Sequence, residues 1–155
     1  GDTSWCNSSS LLCDNFELNA NNWELYYGAD WSSGQIRVQT IEDEYFAVIQ
    51  QSFGRTLDNG WYRVQLTVSI PNGVDGSLSV PLNDTGHVVG AGIGTEGSGL
   101  YIGLGVDSNN NTMLLYTVDV NYENDPTTNY FTINCGGNPG MGNIYIESVS
   151  LKQYI

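Results

Sequence analysis

The chain has 155 residues and carries 17 acidic side chains against four Lys and Arg, a formal net charge of −13. Nucleic acids and anionic membrane surfaces are bound through clustered Lys and Arg, so we expect no nucleic-acid partner. Because no stretch of about 18 apolar residues occurs, we also expect no membrane insertion. The length suits one domain with a substantial core, which we place over residues 1–155. The four cations lie apart from one another along the sequence: Arg37, Arg55, Arg63 and Lys152.

Two of the three cysteines lie close together near the start of the chain, at Cys6 and Cys13. A disulfide between them would staple an N-terminal loop over residues 1–14 and would indicate an oxidising compartment. Three buried thiols, with Cys135 as the third, are the alternative. A zinc site is a poor match, because it needs four ligands and the single histidine, His87, is remote from the cysteines.

The next notable segment, Tyr26-Tyr27-Gly28-Ala29-Asp30-Trp31, contains three aromatic residues in a stretch that we predict to be a loop. Three aromatics in one loop cannot all pack in a core. Sugars bind proteins through aromatic faces and a few polar side chains. Tyr26, Tyr27 and Trp31 are therefore candidate glycan-binding residues.

Beyond this segment, apolar and polar residues alternate with a period of two, and helical periodicity is almost absent. The clearest case is Trp61–Ile70, in which every second residue from Tyr62 onward is apolar. Many short strands between Gly- and Asn-rich turns favour an all-β fold of two antiparallel sheets, a β-sandwich. Nine strands are predicted, at Ile36–Ile41, Tyr45–Ser52, Trp61–Ile70, Ser77–Leu82, Val88–Ile93, Leu100–Val106, Met113–Val120, Tyr130–Cys135 and Ile144–Leu151.

Four further aromatics are assigned from these strands and their surroundings. Tyr101 and Tyr116 lie on predicted strands, where they are candidates to line a sheet face and bind a glycan. Trp23 and Trp61 are expected in the core or at its rim.

Motifs of enzymes do not occur in the sequence. It has neither a Gly-x-Ser-x-Gly elbow nor a His-Glu-x-x-His pair, and the glycines of Gly90–Gly94 lack the Lys and the helix that a phosphate site needs. Nothing singles out two of the 17 carboxylates as an acid–base pair for glycoside hydrolysis. We therefore expect no enzymatic activity.

Three segments carry a family resemblance. They are Leu12–Glu17 with Asn22-Trp23, then Phe46–Phe53 with Leu57 and Gly60–Leu66, and finally Asn143–Leu151. In order and spacing they resemble the first, central and last strands of jelly-roll carbohydrate-binding modules of the family 4, 9 and 22 kind, which are galactose-binding-like β-sandwiches. The resemblance implies a jelly-roll topology and non-catalytic binding of a glycan.

The same resemblance implies a metal site. In many members an early Glu and a late Asp help to hold a structural Ca²⁺, because the first and last strands are neighbours and this hard cation takes several oxygen ligands. The matching residues are Glu17 and Glu147, so a longer Glu replaces the late Asp, and Ser148 replaces the Asn beside it. A structural Ca²⁺ on Glu17 and Glu147 is one expectation, and two solvated carboxylates at the sandwich edge are the other.

Two functions of different class fit this sequence. The first is a non-catalytic carbohydrate-binding protein, extracellular or at the cell surface, that recognises a polysaccharide or surface glycan through its aromatics. The alternative is a structural virion or surface-lattice protein, such as a phage head-decoration, cement or fibre protein, with capsid or lattice subunits as partners at the virion surface. A homo-oligomer fits either function, and its subunits would meet through apolar patches or a bridging metal because of the net charge.

Overall fold

Strands make up all the regular structure in the described part of the chain. The computed structural model describes residue 6 and residues 10–39, 46–69, 80–81, 88–96, 98–99, 103–104, 107–108, 113–123, 129–136 and 143–153. No helix in these ranges could span a membrane. The strands are β1 (Ser10–Asp14), β2 (Glu24–Tyr26), β3 (Ala29–Ser32), β4 (Gln35–Val38), β5 (Phe46–Ser52), β6 (Gly60–Ser69), β7 (Val80–Pro81), β8 (Val88–Thr95), β9 (Ser98–Gly99), β10 (Gly103–Leu104), β11 (Asp107–Ser108), β12 (Met113–Tyr122), β13 (Tyr130–Gly136) and β14 (Ile144–Gln153).

Two antiparallel sheets contain most of these strands. The first sheet has the order β12-β6-β14-β4-β3, with β1 also paired to β14. The second sheet has the order β10-β8-β13-β5-β2, with β9 beside β8, and β7 pairs with β11 as a separate ribbon. The all-β, two-sheet sandwich predicted from the alternation is confirmed. Of the nine predicted strands, Ser77–Leu82 and Leu100–Val106 lie largely outside the described residues.

The core lies between the two sheets. Ile36, Val64 and Leu66 of the first sheet and Ile49 and Phe131 of the second are completely buried. Burial of each such side chain contributes about 1.5 to 3 kcal/mol to the hydrophobic stabilisation. The alternation seen in the sequence therefore marks which side of each strand faces the core.

Trp23 lies in this core, as predicted, and fixes the segment between β1 and β2. Its ring packs edge-on against Phe16, with centroids 5.8 Å apart, and against Phe131 of the second sheet at 6.0 Å. Its indole Nε1 donates a hydrogen bond to Asp14 Oδ2 at 2.9 Å. Trp61, in contrast, is 44% exposed at the start of β6.

The N-terminal segment differs from the predicted loop over residues 1–14. Its last five residues form β1, which pairs with β14, because Leu12 lies opposite Leu151 and packs against the core. Cys6 and Cys13 are joined in a disulfide, with Cα atoms 6.1 Å apart, within the usual range for such bonds. The link ties residue 6 to the edge of the first sheet.

The predicted loop Tyr26–Trp31 is also wrong. Tyr26 ends β2 in the second sheet, and Trp31 lies in β3 of the first sheet. The chain passes between the sheets in a tight turn at Tyr27 (φ 57°) and Gly28 (φ 94°). Gly28 is required there, because a Cβ would come within 2.9 Å of Gln39 O, and its own carbonyl accepts a hydrogen bond from the Gln39 N–H.

Candidate functional site

A cleft of about 270 Å³ opens on the outer face of the second sheet, beside the edge strand β2. Its floor comes from β5, where Ala47 and Ile49 point into the core, so Val48 and Gln50 point outward. The described residues that line it are Tyr26, Tyr27, Val48, Gln50 and Glu96. The cleft thus has an aromatic wall, a small apolar and amide floor, and a carboxylate.

The aromatic wall consists of two neighbouring tyrosines. Tyr26 is 41% exposed and Tyr27 is 60% exposed, and their ring centroids lie 6.0 Å apart at an interplanar angle of 42°. Tyr26 is held by its place opposite Val48 in the β2–β5 pairing, and Tyr27 by the tight turn with Gly28. Both rings therefore present apolar faces from a fixed backbone.

Carboxylates flank this wall. The Tyr26 hydroxyl donates a hydrogen bond to Glu24 Oε2 at 2.7 Å, and Glu96, which follows β8, is exposed in the cleft lining. The hydrogen bond to Glu24 raises the pKa of Tyr26 above its ordinary value, and the charges of Glu24 and Glu96 add to the effect. Burial and the same two carboxylates raise the pKa of the neighbouring Tyr130. The surroundings of the cleft are thus negatively charged.

The floor continues inward from Gln50. Thr132 of β13 lies directly opposite Gln50 on one side and opposite Gly92 of β8 on the other. Its neighbours Phe131 and Ile133 are in the core, so Thr132 belongs to the outer face. The Thr132 hydroxyl is fully buried and has no hydrogen-bond partner in the structure.

Among the described residues, Trp31 does not line this cleft. Trp31 lies on the first sheet, 39% exposed, and its Nε1 donates a hydrogen bond of 2.6 Å to the carbonyl of Phe16. Tyr116 has its backbone in β12 of the first sheet, and its side chain lies outside the described set, as does all of Tyr101. The structure therefore brings together Tyr26 and Tyr27 but separates Trp31 from them.

Val48, Gln50 and Glu96 were missed as site residues. For Gln50 the sequence held a signal, because a polar residue at an outward position of a mostly apolar strand needs a partner. Glu96 follows a different strand, and only the β13 strand between β8 and β5 brings it to the cleft.

The acidic pair predicted to hold Ca²⁺ lies at another corner of the sandwich. Glu147 sits at a bulge in β14, between Ile146 and Ser148, and its Oε1 accepts a hydrogen bond from the Ser69 hydroxyl at 3.4 Å. The Gln35 amide faces the same carboxylate and donates to both of its oxygens when its nitrogen is turned that way. Glu17 has an exposed side chain, but its carbonyl would lie 3.8 Å from a Cβ on Gly34, next to Gln35.

This corner gathers oxygen atoms of the kind that Ca²⁺ prefers. They are the Glu147 carboxylate, the Ser69 hydroxyl 3.4 Å from it and the Glu17 carbonyl near Gly34. No group of three or more His, Cys, Asp or Glu side chains gathers among the described ranges. An ion here would therefore rest on one carboxylate, a hydroxyl and backbone carbonyls, a ligand set that would suit Ca²⁺ and not a transition metal.

Comparison of the sequence with protein-family models and with curated proteins found no match. Among solved structures, the CBM22-2 xylan-binding domain from Paenibacillus barcinonensis aligns with a TM-score of 0.63 at 8% identity, over 93% of this chain and 99% of that one. The C-terminal family 22 carbohydrate-binding module of Clostridium thermocellum Xyn10B gives 0.61 at 13% identity, over 94% and 93%. The chain thus has the jelly-roll β-sandwich fold of carbohydrate-binding modules.

A phage protein shares the fold as well. The enzymatically active domain of the bacteriophage CBA120 tailspike protein 4 aligns with a TM-score of 0.52 at 13% identity, over 90% of this chain and 20% of that one. At this level of identity the likeness concerns the fold alone, and function has to be argued from the site.

Proposed function

We propose that this protein binds a polysaccharide without cleaving it, and that the cleft beside β2 is the binding site. The observation that carries the proposal is the pairing of two exposed, backbone-fixed tyrosine rings with Gln50 and Glu96 in one cleft. Sugar rings have apolar C–H faces that pack on aromatic rings, and hydroxyl groups that need hydrogen-bond partners. The fold shared with xylan-binding domains supports the same reading.

Each part of the cleft has a separate role in this proposal. Tyr27, the more exposed ring, stacks on a sugar, and Tyr26 orients the chain with its ring edge. Glu96 accepts hydrogen bonds from sugar hydroxyls, and such bonds to a charged group are stronger than neutral ones. Because Glu24 and Glu96 both carry negative charge, the site favours an uncharged polymer, and xylan is the first candidate.

The test is affinity electrophoresis in gels that contain xylan, mixed-linkage β-glucan or galactomannan. Retention by at least one polymer is expected, together with a loss of roughly tenfold in affinity for Tyr27→Ala, the range of one stacking contact. Leu18→Ala is the matched control, because Leu18 is 87% exposed and does not line the cleft. No retention by any polymer, or equal retention of Tyr27→Ala and the parent, contradicts the proposal.

A structural role in a virion or surface lattice is the second candidate. The similarity to part of a phage tailspike protein favours it. Light scattering on the purified chain separates the two, since a lattice subunit forms a defined oligomer or binds particles while ignoring every glycan. A monomer that binds xylan supports the first candidate.

We also propose that Ca²⁺ binds at the corner formed by Glu147, Gln35 and Glu17. The Glu147 carboxylate, the Ser69 hydroxyl beside it and the family resemblance at Glu17 and Glu147 support it. The ion would link β14 to the β3–β4 turn and so hold the sheet edge, with a structural role far from the polysaccharide.

An extracellular location completes the proposal. Its support is the Cys6–Cys13 pairing, since disulfides persist in oxidising compartments.

A further inference from the structure

Trp61 is an exposed indole on the sandwich face opposite to the cleft. In β6 the side chains of Tyr62 and Val64 enter the core, so Trp61 and Arg63 lie on the outer face of the first sheet. The indole is 44% exposed. An exposed indole face is the kind of apolar platform on which the C–H face of a sugar packs.

Polar groups with fixed positions surround this indole. Asn121 of β12 is exposed and lies directly opposite Trp61 in the strand pairing. One register step further, the Arg63 guanidinium donates to both carboxylate oxygens of Asp119, at 2.8 and 3.1 Å. Trp61 is thus flanked by an amide and by a planar, paired Arg–Asp group.

A concavity of about 490 Å³ adjoins Trp61 at the end of the sheet. This volume lies within the range of small-ligand sites. Its lining consists of the chain neighbours of Trp61 and the end of β12: Asn59, Gly60, Asn121, Tyr122 and Glu123. Amide groups and a carboxylate therefore line the concavity, which meets the surface around Trp61 at Asn121, the residue opposite Trp61.

The loop that forms one wall of this concavity is held in place. The Tyr62 hydroxyl donates to the carbonyl of Asp58 at 2.7 Å, and Gln153 Nε2 donates to the carbonyl of Asn59 at 3.1 Å. Gly60 has φ 141°, and a Cβ there would come within 2.9 Å of the Gln153 amide. The site is preformed, so a ligand does not have to order it.

We propose that the surface formed by Trp61, Asn121, the Arg63–Asp119 pair and the adjoining concavity is a second binding site for an uncharged sugar chain. An indole face, amides and a bidentate ion pair supply the apolar platform and the hydroxyl partners that a sugar needs. The Arg63 and Asp119 charges offset each other, and Glu123 leaves the site negative, so an anionic chain is disfavoured.

The proposed second site changes how the molecule meets a polymer. The tyrosine cleft lies on the outer face of the second sheet and Trp61 on the outer face of the first, so the two surfaces point in opposite directions. Two sites on opposite faces let one molecule bridge two chains, and the second contact then occurs at a high effective concentration.

The test is a calorimetric titration of the whole chain with xylohexaose and with cellohexaose, with heteronuclear NMR spectra recorded on the same samples. We expect two binding sites per chain. Trp61→Ala should remove one of them, while the NMR signals of the tyrosine cleft still shift when the oligosaccharide is added. Asn121→Ala should weaken the same site roughly tenfold and serves where Trp61→Ala lowers stability. Conversely, Tyr27→Ala should abolish binding at the cleft and leave the ligand-induced NMR shifts around Trp61 unchanged.

Three results distinguish the two proposals. A stoichiometry of one ligand per chain, unchanged in Trp61→Ala and in Asn121→Ala, overturns the second site and leaves the cleft proposal standing. Binding that Trp61→Ala abolishes and Tyr27→Ala leaves unchanged overturns the cleft proposal and leaves the second site standing. If neither oligosaccharide binds at either surface, and the circular dichroism spectra of the variants match that of the parent, both proposals are overturned. Leu18→Ala is again the control, because that side chain contacts neither surface.

Discussion

The hydroxyl of Tyr26 donates a hydrogen bond to Oε2 of Glu24, two residues earlier on the same edge strand, with the oxygens 2.7 Å apart. The bond places a carboxylate at the rim of the cleft and aligns the ring of Tyr26 beside Tyr27. It couples the charge at the rim to the ionisation of the phenol.

The titration of Tyr26 is expected to report this bond. Glu24→Gln removes the negative charge that raises the pKa of Tyr26, so the pKa should fall toward the ordinary value. Ultraviolet titration of phenolate formation measures it, with Glu123→Gln as the control for a carboxylate that does not touch Tyr26. Identical titration curves of parent and Glu24→Gln would mean that the hydrogen bond does not persist in solution.

Charge discrimination at the cleft is the second prediction. A uronate-bearing polymer should bind more weakly than its carboxyl-reduced form, by roughly fivefold for each close carboxylate at low salt. Added salt and Glu96→Gln should each narrow the difference, because both reduce the repulsion. Affinity electrophoresis on the paired polymers measures this, and equal binding of both polymers by the parent would place the carboxylates out of reach of the sugar.

Asp14 is predicted to be the main polar contributor to stability near β1. Its two oxygens accept hydrogen bonds from the Phe16 N–H at 2.8 Å and from Trp23 Nε1 at 2.9 Å. Asp14→Ala should lower the free energy of unfolding by about 2 to 3 kcal/mol, because both donors lose a charged partner. Urea denaturation measures the change.

Asn19→Ala is the matched control for Asp14→Ala. Asn19 makes the same kind of side-chain bond, to the Asn21 N–H at 3.0 Å, but at an exposed position. The loss there should stay within about 0.5 kcal/mol. Equal losses in the two variants would show that burial of the Asp14 bonds does not matter.

Calcium is predicted to stabilise the fold through Glu147. At free Ca²⁺ near 100 times Kd, the midpoint of thermal unfolding should rise by roughly 5 to 10 °C, since ligand binding to the folded state adds about 2.7 kcal/mol. Glu147→Ala should abolish the rise, and Glu123→Gln should keep it. A rise in the unfolding midpoint that persists in Glu147→Ala would locate the ion elsewhere. No rise in the parent would contradict the proposed Ca²⁺ site.

The cysteines are predicted to behave as one disulfide and one protected thiol. Cys135 is completely buried, and burial raises the pKa of its thiol to about 12. Alkylation at neutral pH should therefore leave all three cysteines unmodified in the folded chain. Denaturant alone should expose one thiol, and denaturant with reductant three, as mass spectrometry counts them.

The same thiol predicts a loss of stability in alkali. A pKa that folding raises from 9.0 contributes stability that is complete below pH 9.0 and is lost as the pH rises toward 12. Cys135→Ala or Cys135→Val should flatten this part of the stability–pH curve. Denaturation at a series of pH values measures it, and a parent curve with no decline across that window would contradict burial of the thiol.

Much of the fold could be predicted from the sequence, because a strand with one buried face alternates apolar and polar residues with a period of two. The run from Tyr62 to Val68 predicted β6 and its core face, and the closing run Ile144–Leu151 predicted β14. The short strands β2 and β3 were not predicted, because they have too few residues for an alternating pattern to be recognised. Composition left Leu12 in an N-terminal loop, whereas the family resemblance placed it at the first strand beside the last one, and its pairing with Leu151 agrees with the resemblance.

The candidate site was half readable. Tyr26 and Tyr27 stood out as aromatics too closely spaced to share a core, whereas Trp31 belonged to the same cluster only in sequence, since the turn at Gly28 sends it to the other sheet. Trp61 was expected in the core or at its rim. The alternation that puts Tyr62 inward places Trp61 outward, where it is 44% exposed.

The sequence by itself determined the strand class, the core side of the long strands and the negative charge, because these follow from residue type and local period. Only the tertiary structure decided that β13 lies between β5 and β8, bringing Glu96 to Gln50, and that β14 takes Glu147 to Gln35. Backbone hydrogen bonds between strands are nearly independent of sequence, so strand order depends on how the whole set of apolar faces is buried at once.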